Sequence, residues 1–315
     1  MAAPTTGTII LAFITVVVIW STTPLTIAWS GEGVGFLFGI TSRMVISTVL
    51  ASGLMWVLHR PMNWHRQALW AYFASGIGIY IALMGAYWSA TLIPSGWISV
   101  IFGTSAVFTG IMAHYLLQEH LSWYRVLGLL LAISGLLLIF YEGQQVDSSA
   151  LWGVGICLVA VIGQSSTAVW IKKIDAKQTG LTMTTGGLWV ATPLCLITWL
   201  MFDGTWPEDW SNRALASIVY LSIFGSLLGF SLYYFLIHHI QASRLALITL
   251  ITPVTALLLG HLLNQEVISV TVILGTLFIL LGLTVFQWGN RLHRKKYQPS
   301  KDACEKPSAS SESTG

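Results

Sequence analysis

His114-Tyr-Leu-Leu-Gln-Glu119 and His261-Leu-Leu-Asn-Gln-Glu266 lie 147 residues apart and align without a gap. The register continues through Ser122 with Ser269, Leu127 with Leu274, Gly128 with Gly275, Leu130 with Leu277 and Gly135 with Gly282, so that nine positions of twenty-two agree. Five of the nine are Leu or Gly, which coincide readily in apolar sequence, so the weight falls on the His, the Gln-Glu pair and the Ser. The spacing implies that one half of the chain repeats the other.

The sequence around the repeat is that of a membrane protein. Of 315 residues 55% are hydrophobic and 9% charged, against roughly 25% charged in a soluble domain. A helix needs about 20 residues to cross about 30 Å of hydrocarbon. Apolar runs of that length fall near 8 to 29, 34 to 58, 68 to 91, 95 to 117, 123 to 141, 150 to 171, 181 to 202, 214 to 237, 243 to 264 and 268 to 289. They are apolar on every face and do not alternate, which excludes an amphipathic soluble bundle and a membrane barrel. The fold class expected is all-α: a polytopic membrane protein of ten transmembrane helices. Met1 to Gly7 carries no Lys or Arg, so the first segment is expected to be retained and not cleaved as a signal. Cys157, Cys195 and Cys304 form neither a disulfide framework nor a metal spacing.

Charge sidedness tests the count. With the N-terminus in the cytoplasm, Arg60, Arg66, Arg125, Lys172, Lys173, Lys177, Arg244 and the six basic residues from Arg291 onward all fall inside, 13 of 15. Arg213 alone falls outside, among Glu32, Glu142, Asp147, Asp203, Glu208, Asp209 and Glu266, and Arg43 lies within a span. Nine or eleven helices would put one half's basic loops on the wrong side. Both termini are therefore expected in the cytoplasm of a bacterial inner membrane.

Ten spans in two copies leave five per copy, an odd number, so the second copy enters the membrane upside down. We expect two inverted five-helix repeats, 1–145 and 146–290, followed by a basic, disordered tail, 291–315. Inverted repeats are the architecture of secondary transporters, whose two halves open a central site alternately to each side.

With these features in place, the sequence resembles the drug/metabolite transporter superfamily, in its ten-helix EamA branch. The resemblance rests on Trp20-Ser21, on the Arg of Thr41-Ser42-Arg43, on Glu119 to Gly128 and Glu266 to Gly275, and on Pro253. It covers nearly the whole chain except the tail. The first half departs from it by carrying Ala106 where the second has Pro253, so the halves need not bend alike. The resemblance implies proton-linked or facilitated movement of amino acids, nucleosides, other metabolites or drugs, commonly outward.

Polar residues at mid-membrane are costly and therefore informative. Trp20-Ser21-Thr22-Thr23-Pro24 in the first span and Gln164-Ser165-Ser166-Thr167 in the sixth sit at similar depth along their own directions. Pro24 removes a backbone donor and frees a carbonyl near Trp20. Tyr80, Tyr87, Trp97, Ser99 and Tyr234 add rings and hydroxyls suited to a mostly apolar or zwitterionic solute. The competing readings are packing for the Ser and Thr residues, and the core or the interfacial belt for the rings. We assign substrate contacts to Trp20, Ser21, Thr22, Tyr80, Tyr87, Trp97, Ser99, Gln164, Ser165 and Tyr234. Structural or gating roles go to Arg43, Pro24, Glu119, Pro253 and Glu266. Because the family places an Arg at position 43 whatever its substrate, a structural or gating role is favoured there over a substrate contact. No Asp, Glu or His lies near the centre of a span, which favours uniport or exchange over a buried proton relay. Gly225 and Gly229 form a small-xxx-small pair for close helix packing.

The function expected is transport of a small neutral or zwitterionic metabolite such as an amino acid. No phosphate-binding G-x-x-x-x-G-K-[ST] motif is present, and the His-Glu pair recurs on opposite sides of the membrane, which speaks for fold symmetry over catalysis. The partners expected are the solute and membrane lipids, with no nucleic acid and no cofactor. A homodimer is left open.

Overall fold

The computed structural model describes residues 5–117, 123–141, 148–174, 176, 178–239 and 242–296. Every regular element among them is helical. In chain order these are α1 Thr6–Ser30, α2 Phe36–Val57, α3 Arg66–Ser89, α4 Ser95–Gly103, α5 Ser105–Leu117 and α6 Trp123–Tyr141. They continue with α7 Ser148–Ile174, α8 Gly180–Phe202, α9 Asn212–Tyr220, a π-helical segment Leu221–Leu228, α10 Gly229–His239, α11 Ala242–Asn264 and α12 Val270–Lys296. Helices satisfy their own backbone polar groups, which hydrocarbon requires.

Among the described residues seven helical stretches are long and apolar enough to cross a membrane, two of them formed by α4 with α5 and by α9 with the π segment and α10. Three further apolar stretches, Trp123–Gly135, Ile251–Asn264 and Val270–Phe286, are shorter. Large apolar side chains such as Leu11, Val18, Val49, Trp152, Val159 and Leu200 stay more than half exposed on the outside of the bundle. In water such a surface would drive aggregation; in lipid it is the solvated face. The molecule is a multi-pass membrane protein.

The helix ends are closed by local chemistry. Thr5, Thr179 and Ser211 accept hydrogen bonds from the N–H groups of Thr8, Thr182 and Ala214 at the starts of α1, α8 and α9. The short link from α1 to α2 turns on Gly33 and Gly35, at φ 76° and 79°, a region closed to most side chains. One end of the bundle carries Glu32, Asp203, Glu208, Asp209 and Glu266; the other carries Arg60, Arg66, Arg125, Lys172 and Lys173. Arg213, the basic residue at the acidic end, is paired with Glu32.

Glycines set the closest helix approaches. α6 and α12 run antiparallel, and Gly128 lies against the Gly282 carbonyl while Gly135 lies against the Gly275 carbonyl, each where a Cβ would come within 2.5 Å. α3 meets α7 through Gly78 on Thr167 and Gly85 on Ala160, and meets α8 through Gly76 on Gly187 and Val190. α2 and α8 are joined by hydroxyls: Thr48 bonds Thr192 at 2.6 Å, Thr192 donates to the Met44 carbonyl and Thr41 to the Cys195 carbonyl. The starts of α2 and α8, the ends of α1 and α7, and the Thr48–Thr192 pair are each 144 residues apart. The central core, including Ile40, Met44, Tyr87, Cys157, Leu188 and Leu221, gathers around these seams.

The fourth and ninth spans of the sequence reading differ in shape. The first is broken between α4 and α5 at Thr104, whose N–H and Oγ1 both turn back to the Ile101 carbonyl. The second, α11, runs unbroken through Pro253. The break thus falls in the half that lacks the proline.

Candidate functional site

α1 presents its polar run to α9, α10 and α11. Trp20 is half-buried, with its ring 4.8 Å from that of Tyr233 and 6.4 Å from that of Phe230. It reaches α10 because position 229 is glycine: a Cβ there would sit 3.3 Å from the Trp20 Nε1. Ser21 is buried, and its Oγ lies 2.5 Å from Thr255 Oγ1 on α11. Thr22 Oγ1 bonds the Tyr220 hydroxyl at 2.7 Å. Pro24 is buried one turn further on and supplies no N–H to the Trp20 carbonyl. Thr255, Tyr220 and Phe230 were absent from the sequence-based candidates. Thr255 is a hydroxyl within an apolar span, the same signal that picks out Ser21.

On α7, Ser165 donates to the Ser105 carbonyl at 3.2 Å, beside the α4–α5 break, and Thr167 rests on Gly78 of α3. Gln164 is half-buried, and its side-chain amide bonds none of the described residues. No hydrogen bond or ring contact joins this run to Trp20 among the described residues. α4 stands between, packed by both α1 and α7; it carries half-buried Trp97 and buried Ser99. A cavity of about 510 Å³ lies at the basic end of α5 and α7, lined by Leu116, Ser166, Thr167, Val169, Trp170, Lys173 and Ile174. It touches the polar run of α7 and does not reach Trp20.

Other candidates face elsewhere. The Tyr80 hydroxyl bonds Thr198 of α8 at 2.7 Å. Tyr234 packs with Ala68, Ala71, Tyr72 and Met183 toward the basic end, next to Tyr233 but in a separate cluster. Tyr87 is 1% exposed in the central core. Pro253 is buried in α11. Glu266 binds the start of α4: it accepts from the Ser95 Oγ at 2.6 Å and from the N–H groups of Ser95 and Gly96 at 3.1 and 3.2 Å. Gly260 leaves room for it, since a Cβ there would meet Oε2 at 2.5 Å. Glu119 lies outside the described residues.

Arg43 is 1% exposed. Its Nε donates to Ser226 of the π segment at 2.9 Å, its guanidinium carbon lies 5.9 Å from the centroid of the Tyr87 ring, and Gly225 admits Nη2. The backbone carbonyl of Arg43 accepts from Ser47 and Ser222. Two glycines one turn apart therefore seat the two residues singled out first, Gly225 under Arg43 and Gly229 under Trp20. No group of three or more His, Cys, Asp or Glu able to hold a metal occurs among the described residues.

Hydroxyls and rings turned inward from several helices give the membrane bundle an amphipathic interior. The chain belongs to the EamA-like transporter family, which matches it twice, over residues 7–141 and 151–287. It is 25% identical over 278 residues to the uncharacterized transporter YoaV of Bacillus subtilis (strain 168), covering 87% of this chain and 95% of that one. It is 27% identical to a probable terminal-alkyne amino-acid exporter of Streptantibioticus cattleyicolor, over 77% of this chain and 81% of that one. To a probable amino-acid metabolite efflux pump of Escherichia coli (strain K12) it is 24% identical, over 63% and 69%. The fold is shared with a solved crystal structure among others, at a TM-score of 0.66 over 93% of this chain and all of that one and 15% identity.

Proposed function

We propose that the protein exports a small neutral or zwitterionic metabolite, of the amino-acid kind, across a bacterial inner membrane by alternating access. In this reading α4 with α5, and α9 with the π segment and α10, each form one span. The ten spans divide into inverted repeats at 1–145 and 146–290, and the basic end with both termini faces the cytoplasm.

The reciprocal helix crossings carry the proposal. Replacing each residue by its equivalent 147 positions away turns the Gly128–Gly282 contact into Gly275–Gly135, which is the second contact of the same pair of helices. Nearer the start of each half the equivalence is three residues shorter, since α2 and α8 start 144 residues apart and α1 and α7 end 144 apart; in that register Thr48 and Thr192 are equivalent positions bonded to each other. A two-fold axis lying in the membrane plane has this property, and such an axis supports two states related by exchange of the halves. Relatives named as an amino-acid exporter and an amino-acid metabolite efflux pump support the solute class and direction. The Trp20 surroundings support a solute with an apolar side chain, and the absence of acidic residues from the described span interiors supports uniport or exchange.

The test is efflux of labelled amino acids from cells expressing the protein, alongside resistance to toxic amino-acid and nucleoside analogues. Faster loss of label than in empty-vector cells is expected. Faster accumulation would reverse the direction, and no change with any solute would remove the reading.

A further inference from the structure

We propose that Arg43 and Tyr87 form a subsite for the carboxylate of the transported solute. This rests on the transport reading and adds a substrate class, amphipathic monocarboxylates including zwitterionic amino acids. Six buried side-chain polar atoms have no hydrogen-bond partner among the described residues; two of them, Arg43 Nη1 and Tyr87 Oη, belong to residues in contact with each other. Arg43 is the one formally charged residue of the six. Among the described residues its one side-chain hydrogen bond is from Nε to the Ser226 hydroxyl, and no carboxylate pairs with it.

A buried guanidinium that serves only the fold spends its five donors on backbone carbonyls or on a carboxylate. Here one donor is used, and on a neutral hydroxyl. A charge this deep in a membrane protein with open donors is costly by itself, and the fork of two Nη groups suits the two oxygens of a carboxylate. The Tyr87 hydroxyl, on the ring whose centroid lies 5.9 Å from the guanidinium carbon, is a second buried donor with no partner among the described residues.

The π segment relates this subsite to Trp20. π-helical turns are rare and concentrate at functional sites, and this one brings Ser226 and Gly225 to the guanidinium. Gly229, one turn on, seats Trp20 against Phe230 and Tyr233. A solute anchored on Arg43 would thus direct its side chain about 5 Å along the segment, roughly one helical turn, toward those rings. That spacing suits an amino acid with an apolar or aromatic side chain.

The experiment compares leucine, phenylalanine and tryptophan with their three carboxamides, using ligand-induced thermal stabilisation of the purified protein and counterflow in proteoliposomes. For wild type we expect at least one acid to bind tenfold or more tightly than its amide. Tyr87→Phe, which removes only the unpaired hydroxyl, should lose several-fold in acid affinity with its unliganded melting temperature kept. Arg43→Gln should bind acid and amide alike. Equal binding of acid and amide by wild type in all three pairs would overturn the subsite, as would full discrimination in Tyr87→Phe or in Arg43→Gln. If Arg43→Gln does not fold, Tyr87→Phe decides. Movement of solutes without acid preference would sink the subsite and spare the transport reading; acid-selective binding without movement would do the reverse.

Discussion

Ser226 shows how much rests on single hydroxyls in this interior. It holds the one hydrogen bond that the Arg43 side chain makes among the described residues, and bonds to charged groups are worth about 1.5–3 kcal/mol. Ser226→Ala should lower the melting temperature of the purified protein, whereas Ser134→Ala, at an exposed position where the hydroxyl only bonds the preceding turn, should not. A similar melting temperature for both would mean that the Arg43 contact is dispensable. Trp20→Ala should reduce efflux severalfold at unchanged membrane abundance, measured by transport and immunoblot on the same membranes; loss of protein in step with loss of flux would assign Trp20 to packing. These residues differ in how far the sequence exposed them. Trp20, Ser21 and Arg43 are conspicuous as polar or charged positions in apolar spans. The pairing of Ser21 with Thr255, of Thr22 with Tyr220 and of Arg43 with Ser226 is not legible, because pairing across helices depends on which faces meet, and near-uniform apolarity leaves no stripe from which to read a face.

At the level of helices, glycine placement and capping dominate. Gly128→Ala would put a Cβ 2.5 Å from the Gly282 carbonyl, backbone that cannot move aside. α6 and α12 must separate, and overpacking of this kind costs about 1–3 kcal/mol. Gly155→Ala, on α7 with nothing within 4 Å, is the control. A shift in thermal unfolding for the first and none for the second is the expected result. Glu266→Ala leaves the first N–H groups of α4 without their acceptor, at a cost of about 0.5–2 kcal/mol by analogy with lost helix caps, read by the same measurement; an unchanged melting temperature would mean that other groups take over the cap. Repeat position made Glu266 visible in the sequence, but its partner Ser95, 171 residues away, was not. The break at Thr104 and the π segment also escaped notice. Neither contains a proline, and local propensity carries no other strong sign of a disrupted helix.

Across the whole molecule, much of the architecture was open to a reader of the sequence, since hydrocarbon thickness fixes segment length and a helix is the one open-chain solution to backbone hydrogen bonding there. Sidedness can be checked through the three cysteines. Cys157 and Cys195 are fully buried, leaving Cys304 as the expected target of a membrane-impermeant maleimide. Intact cells should show no labelling, permeabilised cells one label, and Cys304→Ala none; labelling of intact cells would place the tail outside. The antiparallel seam of α6 and α12 has a last consequence, for biogenesis. The glycine face of α6 leaves the ribosome about 150 residues ahead of the face it packs against, a delay of roughly 8–30 s at ordinary synthesis rates. During that interval a newly inserted first half has this close-packed face open to lipid, and a nascent chain that terminates early would present the same open face to quality-control proteases.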